Sequence, residues 1–275
     1  MWTINSVLNS FFDLLITPFR GVHPLWYLFV FSLLTGILML LIFRYTSNQK
    51  KIKETKDKIK AYLIEVRIFN EDLGILLSAQ KNLLFYNAKY LIHALKPILF
   101  MIVPVSIILI QLQGWFGYRP LAVGESTILK VKVTDEGKKV LSHFAIAVDK
   151  GIVIETPPLR NPEEAEVAWR IRANEIGEHT IIIKAQDYSF QKKVVISDKR
   201  LARVSPSVVG SSPLEIIFNP GEKPIKENSL IKRIEVGYPT RSIEIFGWKT
   251  HWLVLFFVLS IISGFAFKDV FGVEL

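Results

Sequence analysis

The sequence predicts an α-helical membrane protein with three transmembrane helices, a cytoplasmic antiparallel coiled-coil hairpin and an inserted extracytoplasmic immunoglobulin-like β-sandwich. Three observations lead to this fold class. Apolar residues make up 50% of the 275 residues and lie in blocks, although 21% of the chain is charged. A seven-residue apolar repeat follows the first block, and a two-residue alternation occupies the region between the second and third blocks. Together these patterns exclude a purely soluble globular protein.

The first segment, residues 1–22, is predicted to form an amphipathic helix at the membrane interface. Val7 and Phe11 belong to an apolar stripe, and Asn5 and Asn9 lie largely opposite it. The segment has no cationic start, so it does not match a secretory signal peptide. The stripe contacts either lipid or the protein's own surface, and both alternatives place the helix at the membrane.

The three apolar blocks predict transmembrane helices at residues 25–43, 97–117 and 249–267. A hydrocarbon core of about 30 Å requires roughly 20 residues of helix. The first block provides 19 residues without a charge. The other two reach this length only with interfacial aromatic flanks. Pro97 and Pro104 are expected to bend or break the second helix.

Charge asymmetry predicts the orientation. Residues 44–96 contain 11 Lys and Arg against 5 Asp and Glu, and short loops rich in cations remain in the cytoplasm. The N-terminus is therefore expected outside, and the tail at residues 268–275 inside. We interpret the chain as an integral protein of the cytoplasmic (inner) membrane, with its large domain extracytoplasmic.

Residues 44–96 also carry the heptad pattern that predicts a coiled coil. Apolar residues recur every seven positions at Ile52, Ile59, Val66 and Leu73, and the repeat continues at Leu77, Leu84 and Leu91. Both ends of the segment must meet the same membrane face. The helix is therefore expected to fold back at residues 70–74, which contain the turn-forming residues.

A run of lysines follows the first span and forms the predicted basic face of the hairpin: Lys50, Lys51, Lys53, Lys56, Lys58 and Lys60. Three interpretations remain open. The run is a solvated face that also sets topology, a contact for anionic lipid headgroups, or a contact for ribosomal RNA or a nascent chain. No aromatic residues that could read bases alternate with the lysines, so sequence-specific nucleic-acid binding is not expected.

Residues 122–209 show the alternation of short β-strands, which predicts the β-sandwich. The expected strands are residues 127–134, 144–148, 152–156, 167–172, 179–185 and 190–196. Trp169 is the candidate core anchor. Residues 210–247 are interpreted as a linker with short strands, because Pro, Gly and Ser are frequent in its first part. Such sandwiches most often serve as interaction or spacer modules.

The chain lacks the residues that catalysis commonly requires. It contains no cysteine, and its 5 histidines are never spaced for a helical metal site. Nucleotide-binding and hydrolase signature motifs do not occur. The apolar blocks of the predicted spans contain no charged residue, since Lys249 precedes the third block at residues 252–267, so the usual marker of an ion pathway is missing. We therefore expect no enzymatic activity, no metal and no cofactor.

The predicted spans do contain scattered polar residues, which are the candidate substrate-groove residues: Ser32, Thr35, Ser106, Gln111, Ser260 and Ser263, with Arg44 at the cytoplasmic edge. One interpretation is close helix–helix packing through small residues. The other is a mildly polar groove that admits a hydrophilic stretch of another chain into the bilayer.

The order of these elements resembles that of a known family. The residues that carry the resemblance are Tyr45 to Gln49, Lys51 to Lys53, Lys58 to Lys60, the arm at 65–72, Leu95 to Pro97, Val103 and Pro104, Gly117 to Pro120, and residues 267–275. They look like the YidC/Oxa superfamily of membrane insertases, in its minimal three-span branch, which includes the third subunit of the ER membrane complex and its prokaryotic relatives. The resemblance covers about residues 1–121 and 248–275, and leaves out the β-sandwich.

The resemblance implies membrane protein insertion without ATP hydrolysis, through a groove open to the cytoplasm and to lipid. The implied partners are membrane lipids and client membrane proteins or nascent chains, with the ribosome as a further candidate. YidC-type members place an arginine inside the groove, whereas the nearest cation here is Arg44. The alternative hypothesis is a non-insertase membrane scaffold whose external sandwich binds a partner protein.

Overall fold

The computed structural model describes residues 2–17, 23–69, 71–186, 188–199, 201–210, 212–226, 229–245 and 247–274. The chain divides into two compact units. Unit 1 comprises Met1–Tyr27 and Ile108–Trp252, and unit 2 comprises Leu28–Ile107 and Leu253–Leu275. Residues 18–22 of the predicted interfacial segment, and Asn70 of the predicted turn, lie outside the described residues.

Seven α-helices occur in the described residues: α1 (Trp2–Ile16), α2 (Pro24–Thr46), α3 (Gln49–Ile68), α4 (Leu73–Phe116), α5 (Asp135–Lys138), α6 (Pro213–Phe218) and α7 (Trp252–Phe267). Of these, α2 and α4 are long and apolar enough to cross a membrane. Helix α7 contains no charged residue but has only 16 residues. The helical part of the chain is therefore compatible with a membrane protein.

Helix α4 joins two elements that the sequence predicts as separate. Its 44 residues correspond to about 66 Å at 1.5 Å per residue, roughly twice the thickness of a hydrocarbon core. Pro97 and Pro104 lie inside it. Each proline removes one backbone donor and bends a helix, but neither ends this one. The second arm of the hairpin and the second predicted span are one continuous helix.

Side-chain caps define where α3 and α4 begin. The Asn48 side chain accepts a hydrogen bond from the Lys51 backbone N–H at 3.0 Å and caps the start of α3. Asp72 Oδ1 accepts from the backbone N–H groups of Gly74 and Ile75, at 2.9 and 3.1 Å, and so starts α4. The two helices are neighbours, because the rings of Tyr62 and Tyr86 stack with centroids 5.5 Å apart.

Eleven β-strands occur in the described residues: β1 (Ser126–Val133), β2 (Phe144–Val148), β3 (Ile152–Ile154), β4 (Leu159–Asn161), β5 (Glu166–Ala173), β6 (Gly177–Ala185), β7 (Tyr188–Ile196), β8 (Ser207–Val209), β9 (Ile231–Val236), β10 (Ile243–Ile245) and β11 (Trp248–Thr250). The larger sheet has the order β3-β5-β1-β9-β8, with β4 also paired to β5. A second sheet has the order β2-β6-β7, and β10 pairs with β11. All of these strand pairs are antiparallel.

The two larger sheets share one apolar core. Alternate residues of each strand point into it, so that Leu129 of β1, Trp169 of β5 and Ile181 of β6 are almost completely buried. Strands are present at all six predicted positions. Trp169 occupies the core position that the sequence suggests, at 2% exposure.

The larger sheet extends beyond the predicted domain boundary at residue 209. Strand β9 lies in the predicted linker 210–247 and pairs with β1, with Leu129 opposite Val236. The strand has only three buried residues and lies in a region rich in Pro, Gly and Ser, so the sequence pattern does not identify it as a strand. At the other end, β11 occupies the start of the predicted span 249–267, so that α7 begins only at Trp252.

Candidate functional site

The predicted groove residues are divided between the two units. Six of them lie in unit 2: Ser32, Thr35, Arg44, Ser106, Ser260 and Ser263. Gln111 belongs to unit 1, where it is buried and accepts a long hydrogen bond of 3.4 Å from Arg203. The structure therefore does not bring all seven residues together in one compact unit.

Four of these residues are buried in unit 2, near the place where α2 and α7 pack together: Ser32, Thr35, Ser260 and Ser263. We call this place the α2–α7 contact and define it by Gly36, Ser260, Ser263 and Gly264. A Cβ atom added to Gly36 would lie 2.6 Å from the Ser260 carbonyl oxygen and 2.9 Å from Ser263 Cβ. The two backbones can approach this closely only because residue 36 is glycine.

Two hydroxyl groups in this region are unusual. Ser263 Oγ donates to the Leu259 carbonyl oxygen one turn back, at 2.7 Å. Ser32 Oγ and Ser260 Oγ are buried and have no hydrogen-bond partner among the described residues. Leaving a buried hydroxyl unpaired costs about 1–3 kcal/mol. Unit 2 thus holds polar groups with unused hydrogen-bonding capacity inside its helix packing.

The remaining two candidates of unit 2 lie elsewhere. Ser106 is half-buried on α4. Arg44 is exposed in the last turn of α2, where a cation interacts favourably with the carbonyl end of the helix. Neither residue is part of the α2–α7 contact.

Helix α4 has two apolar faces, and the structure packs one of them. Residues Leu76, Leu83 and Tyr90 are partly buried and Ala79 is fully buried. The row that the heptad pattern assigns to the coiled-coil core is instead exposed. Leu77, Leu84, Leu91 and Ile98 follow each other at intervals of seven, and are 64%, 71%, 65% and 45% exposed. We call these four residues the exposed row. The sequence-based assignment of its first three members, Leu77, Leu84 and Leu91, to the hairpin core is wrong, and Ile98 lies in the second predicted span.

The basic face of the hairpin is partly engaged within unit 2. Lys58 Nζ donates to the Tyr86 hydroxyl at 3.1 Å and lies 4.9 Å from the centre of its ring. The hydrogen bond to Tyr86 raises the pKa of Lys58 above its ordinary value. Lys56 pairs with Glu274 at 3.3 Å. The other four lysines, Lys50, Lys51, Lys53 and Lys60, are exposed and form no ion pair with any described residue.

The predicted cytoplasmic tail packs onto the base of the hairpin. The Glu274 backbone N–H donates to Gln49 Oε1 at 2.7 Å. Val273 is buried in a small cluster with Leu40, Phe43 and Ile52. The tail therefore ties the end of α2 to the beginning of α3, which a sequence reading could not have anticipated.

In unit 1, the polar side of α1 faces the protein. Asn5 Nδ2 donates to the Ile216 carbonyl oxygen and Asn9 Nδ2 to the Pro220 carbonyl oxygen, both at 2.7 Å. The opposite side of the helix is apolar and exposed, and is formed by Ile4, Val7, Phe11 and Leu14. We call these four residues the α1 stripe. The helix is thus anchored by its asparagines and presents its apolar residues outward.

Arg203 completes this anchor. Its guanidinium donates to Asp13 Oδ1 at 3.0 Å and also to the side chains of Asn9 and Gln111. Burial lowers the pKa of Arg203, and the Asp13 carboxylate opposes this effect. The sequence gives no local signal for this group, because Arg203 and Asp13 lie 190 positions apart.

A second charged pair is buried in the same unit. Lys192 is fully buried, and its ammonium donates to Glu222 and to the carbonyl oxygens of Lys193 and Ser205, at 3.1 and 2.6 Å for the latter two. All three ammonium protons therefore have acceptors. Burial lowers the pKa of Lys192 and the Glu222 carboxylate opposes the shift.

Comparisons with known proteins give little guidance. No family model matches the chain, and no curated protein matches it. The crystal structure of the S-layer protein rSbsC(31-844) shows a local likeness at 17% sequence identity, covering 30% of this chain and 12% of that one. Its TM-score is 0.24.

Proposed function

We propose that this protein is a membrane insertase or intramembrane chaperone of the YidC/Oxa type. In this proposal α2, α4 and α7 form three spans, with the N-terminus outside and the α3–α4 hairpin in the cytoplasm. The strands of unit 1 form an extracytoplasmic immunoglobulin-like domain. The clients are apolar segments of other membrane proteins, and no nucleotide is consumed.

The exposed row is the observation on which this proposal depends. Its first three leucines lie beyond the part of α4 needed to cross a bilayer, yet each is more than 60% exposed. Exposed apolar surface of this extent marks an interaction site. At one end the row reaches Ile98, next to the first proline of the span. One helix face thus connects the hairpin to the membrane-crossing part of α4.

The length of the row suits a client helix. From Leu77 to Ile98, 21 intervals of about 1.5 Å give about 32 Å of apolar surface along one helix face. A transmembrane segment of about 20 residues has a similar length. A client segment could therefore cover the leucines outside the bilayer and move along the same face into the lipid.

Charge on the hairpin supports the same role. The exposed lysines of α3 end at Lys60, and the remainder of the helix exposes Leu63, Ile64 and Ile68 beside a single cation, Arg67. Cations near the membrane can hold the hairpin against anionic headgroups, while the apolar residues after Lys60 stay free for a client.

The test is insertion of a single-span client into liposomes, with and without the purified full-length protein. The variant Leu77→Gln/Leu84→Gln/Leu91→Gln keeps good helix formers and removes the apolar contact. Each leucine contributes up to about 1.5–3 kcal/mol when buried, so we expect stimulation of insertion to fall about tenfold or more.

The matched control is Ser78→Gln/Lys81→Gln, which changes exposed polar residues of the same helix. It should insert the client as the unmodified protein does. If the protein gives no stimulation, or if both variants stimulate equally, the insertase proposal is wrong. A scaffold that binds an external partner through its β-domain would give this negative result.

A further inference from the structure

Unit 1 contains a cavity of about 490 Å³ that no part of the proposed function uses. It lies between the polar side of α1, strands β6 and β7, the residues Ser197, Lys199 and 201–205, and the turn at Gly221 and Glu222. Its volume is within the range of small-molecule sites. Trp2 of α1 and Trp115 of α4 contribute to its wall.

The charges that line the cavity are only partly neutralised within the protein. Arg203 is paired with Asp13, and Glu222 is paired with Lys192 behind the wall. Lys193, Lys199 and Glu178 also line the cavity. These three side chains are exposed and form no ion pair with any described residue.

Strand register places two of these charges close together. Glu178 lies opposite Val195, and Thr180 lies opposite Lys193. Glu178 and Lys193 are therefore diagonal neighbours on the outward face of the β6–β7 pair, about 7–8 Å apart. A cation site and an anion site at this separation, with a second lysine on the adjoining segment, match a ligand that carries both a phosphodiester and an ammonium group.

The surroundings of the cavity point to a membrane lipid. Trp115 is 4% exposed and belongs to the last turn of α4, a helix apolar enough to cross a membrane. Its indole N–H is buried and has no acceptor among the described residues. Seven residues connect α1 to α2, a reach of less than about 30 Å. The cavity must therefore lie close to the bilayer surface if α2 and α4 cross the membrane.

We propose that this cavity binds a phospholipid headgroup. Lys193 and Lys199 bind the phosphodiester, and Glu178 faces the ammonium of an ethanolamine headgroup. The proposal depends on the membrane location of the chain but not on insertase activity, so a failed insertion assay leaves it intact.

The test is lipid retention by the full-length protein, extracted from nanodiscs of phosphatidylethanolamine, phosphatidylglycerol and phosphatidylcholine and measured by native mass spectrometry. We expect the unmodified protein to retain phosphatidylethanolamine in preference to the other two. Lys193→Glu/Lys199→Glu should lower retention about tenfold or more, the effect of losing one or more charge-assisted hydrogen bonds. Glu178→Lys should shift the preference to phosphatidylglycerol.

Lys184→Glu is the matched control, because Lys184 lies on the same outward face of β6 and does not line the cavity. It should leave retention unchanged, and circular dichroism should show that all variants are folded. Equal loss in the control and the cavity variant would overturn the proposal. Equally, displacement of the lipid by soluble glycerophosphoethanolamine at matched concentration would show a site for soluble phosphodiesters and refute the lipid assignment.

Discussion

Replacement of Gly36 by alanine should push α2 and α7 apart. The added Cβ would lie 2.6 Å from the Ser260 carbonyl oxygen, 2.9 Å from Ser263 Cβ and 3.2 Å from the Gly264 nitrogen. Two of these three atoms belong to the backbone, which cannot turn away as a side chain can. Because ordinary contact begins at 3.4 Å, α7 must move by about 0.8 Å at its closest point.

The cost follows from the packing that this movement disrupts. Overpacking a well-packed interior costs about 1–3 kcal/mol. Alanine is intrinsically favoured over glycine in a helix by about 0.5–1 kcal/mol, which offsets part of the cost. We therefore expect Gly36→Ala to destabilise unit 2 by about 1–2 kcal/mol.

Gly264→Ala provides a matched control from the same contact. A Cβ at Gly264 meets no atom within 4 Å, so this variant should be neutral or more stable by up to about 1 kcal/mol. Reversible unfolding in mixed micelles, followed by circular dichroism, measures both. If Gly36→Ala and Gly264→Ala were equally stable, the close approach of the two backbones described above would be wrong.

Three further predictions concern ion pairs and the tail. Hydrogen bonds from Arg119 lower the pKa of Glu125 below its ordinary value of 4.5. The pair therefore stabilises the fold above that pH, and this stabilisation is lost as the pH falls through the lowered pKa. In acid unfolding, Glu125→Gln should lack the loss of stability that comes from protonating Glu125. Lys192→Met leaves the Glu222 carboxylate buried without its partner and should cost about 3–5 kcal/mol in thermal unfolding, whereas Lys192→Met/Glu222→Met should recover much of the loss. Val273→Asp places a carboxylate in an apolar cluster and should speed hydrogen exchange at the start of α3, while Val270→Asp, at an exposed position, should not.

The strands were predictable because their signal is local. Alternation of inward and outward residues identifies β1, β5 and β6 wherever one face is buried. The same reasoning missed β9, whose three inward residues lie among turn-forming residues. Strand β9 is defined by its pairing with β1, about a hundred positions earlier in the chain.

Two features of the helices could not be predicted: which apolar row of α4 is packed, and which side of α1 faces the protein. A heptad pattern locates apolar rows but cannot select between two of them, and α4 is apolar at Leu76 as well as at Leu77. In α1, polarity suggests the side that faces water, yet Asn5 is buried because a backbone carbonyl of α6 accepts its hydrogen bond. The partner of Arg203 could not be recognised either, because Asp13 lies 190 positions away and only the folded chain brings the two together.

The reversed orientation of α1 has a practical consequence for biochemical work. If unit 1 were produced without α2 and α7, the α1 stripe would still face the solvent, so we expect the fragment to self-associate rather than remain monomeric. Removing α1 would remove the stripe but would destabilise what is left, since Arg203 would lose its carboxylate partner and its asparagine acceptor together. Polar substitutions at Val7, Phe11 and Leu14, which leave the asparagine anchor intact, are the better route to a soluble form for crystallisation or NMR.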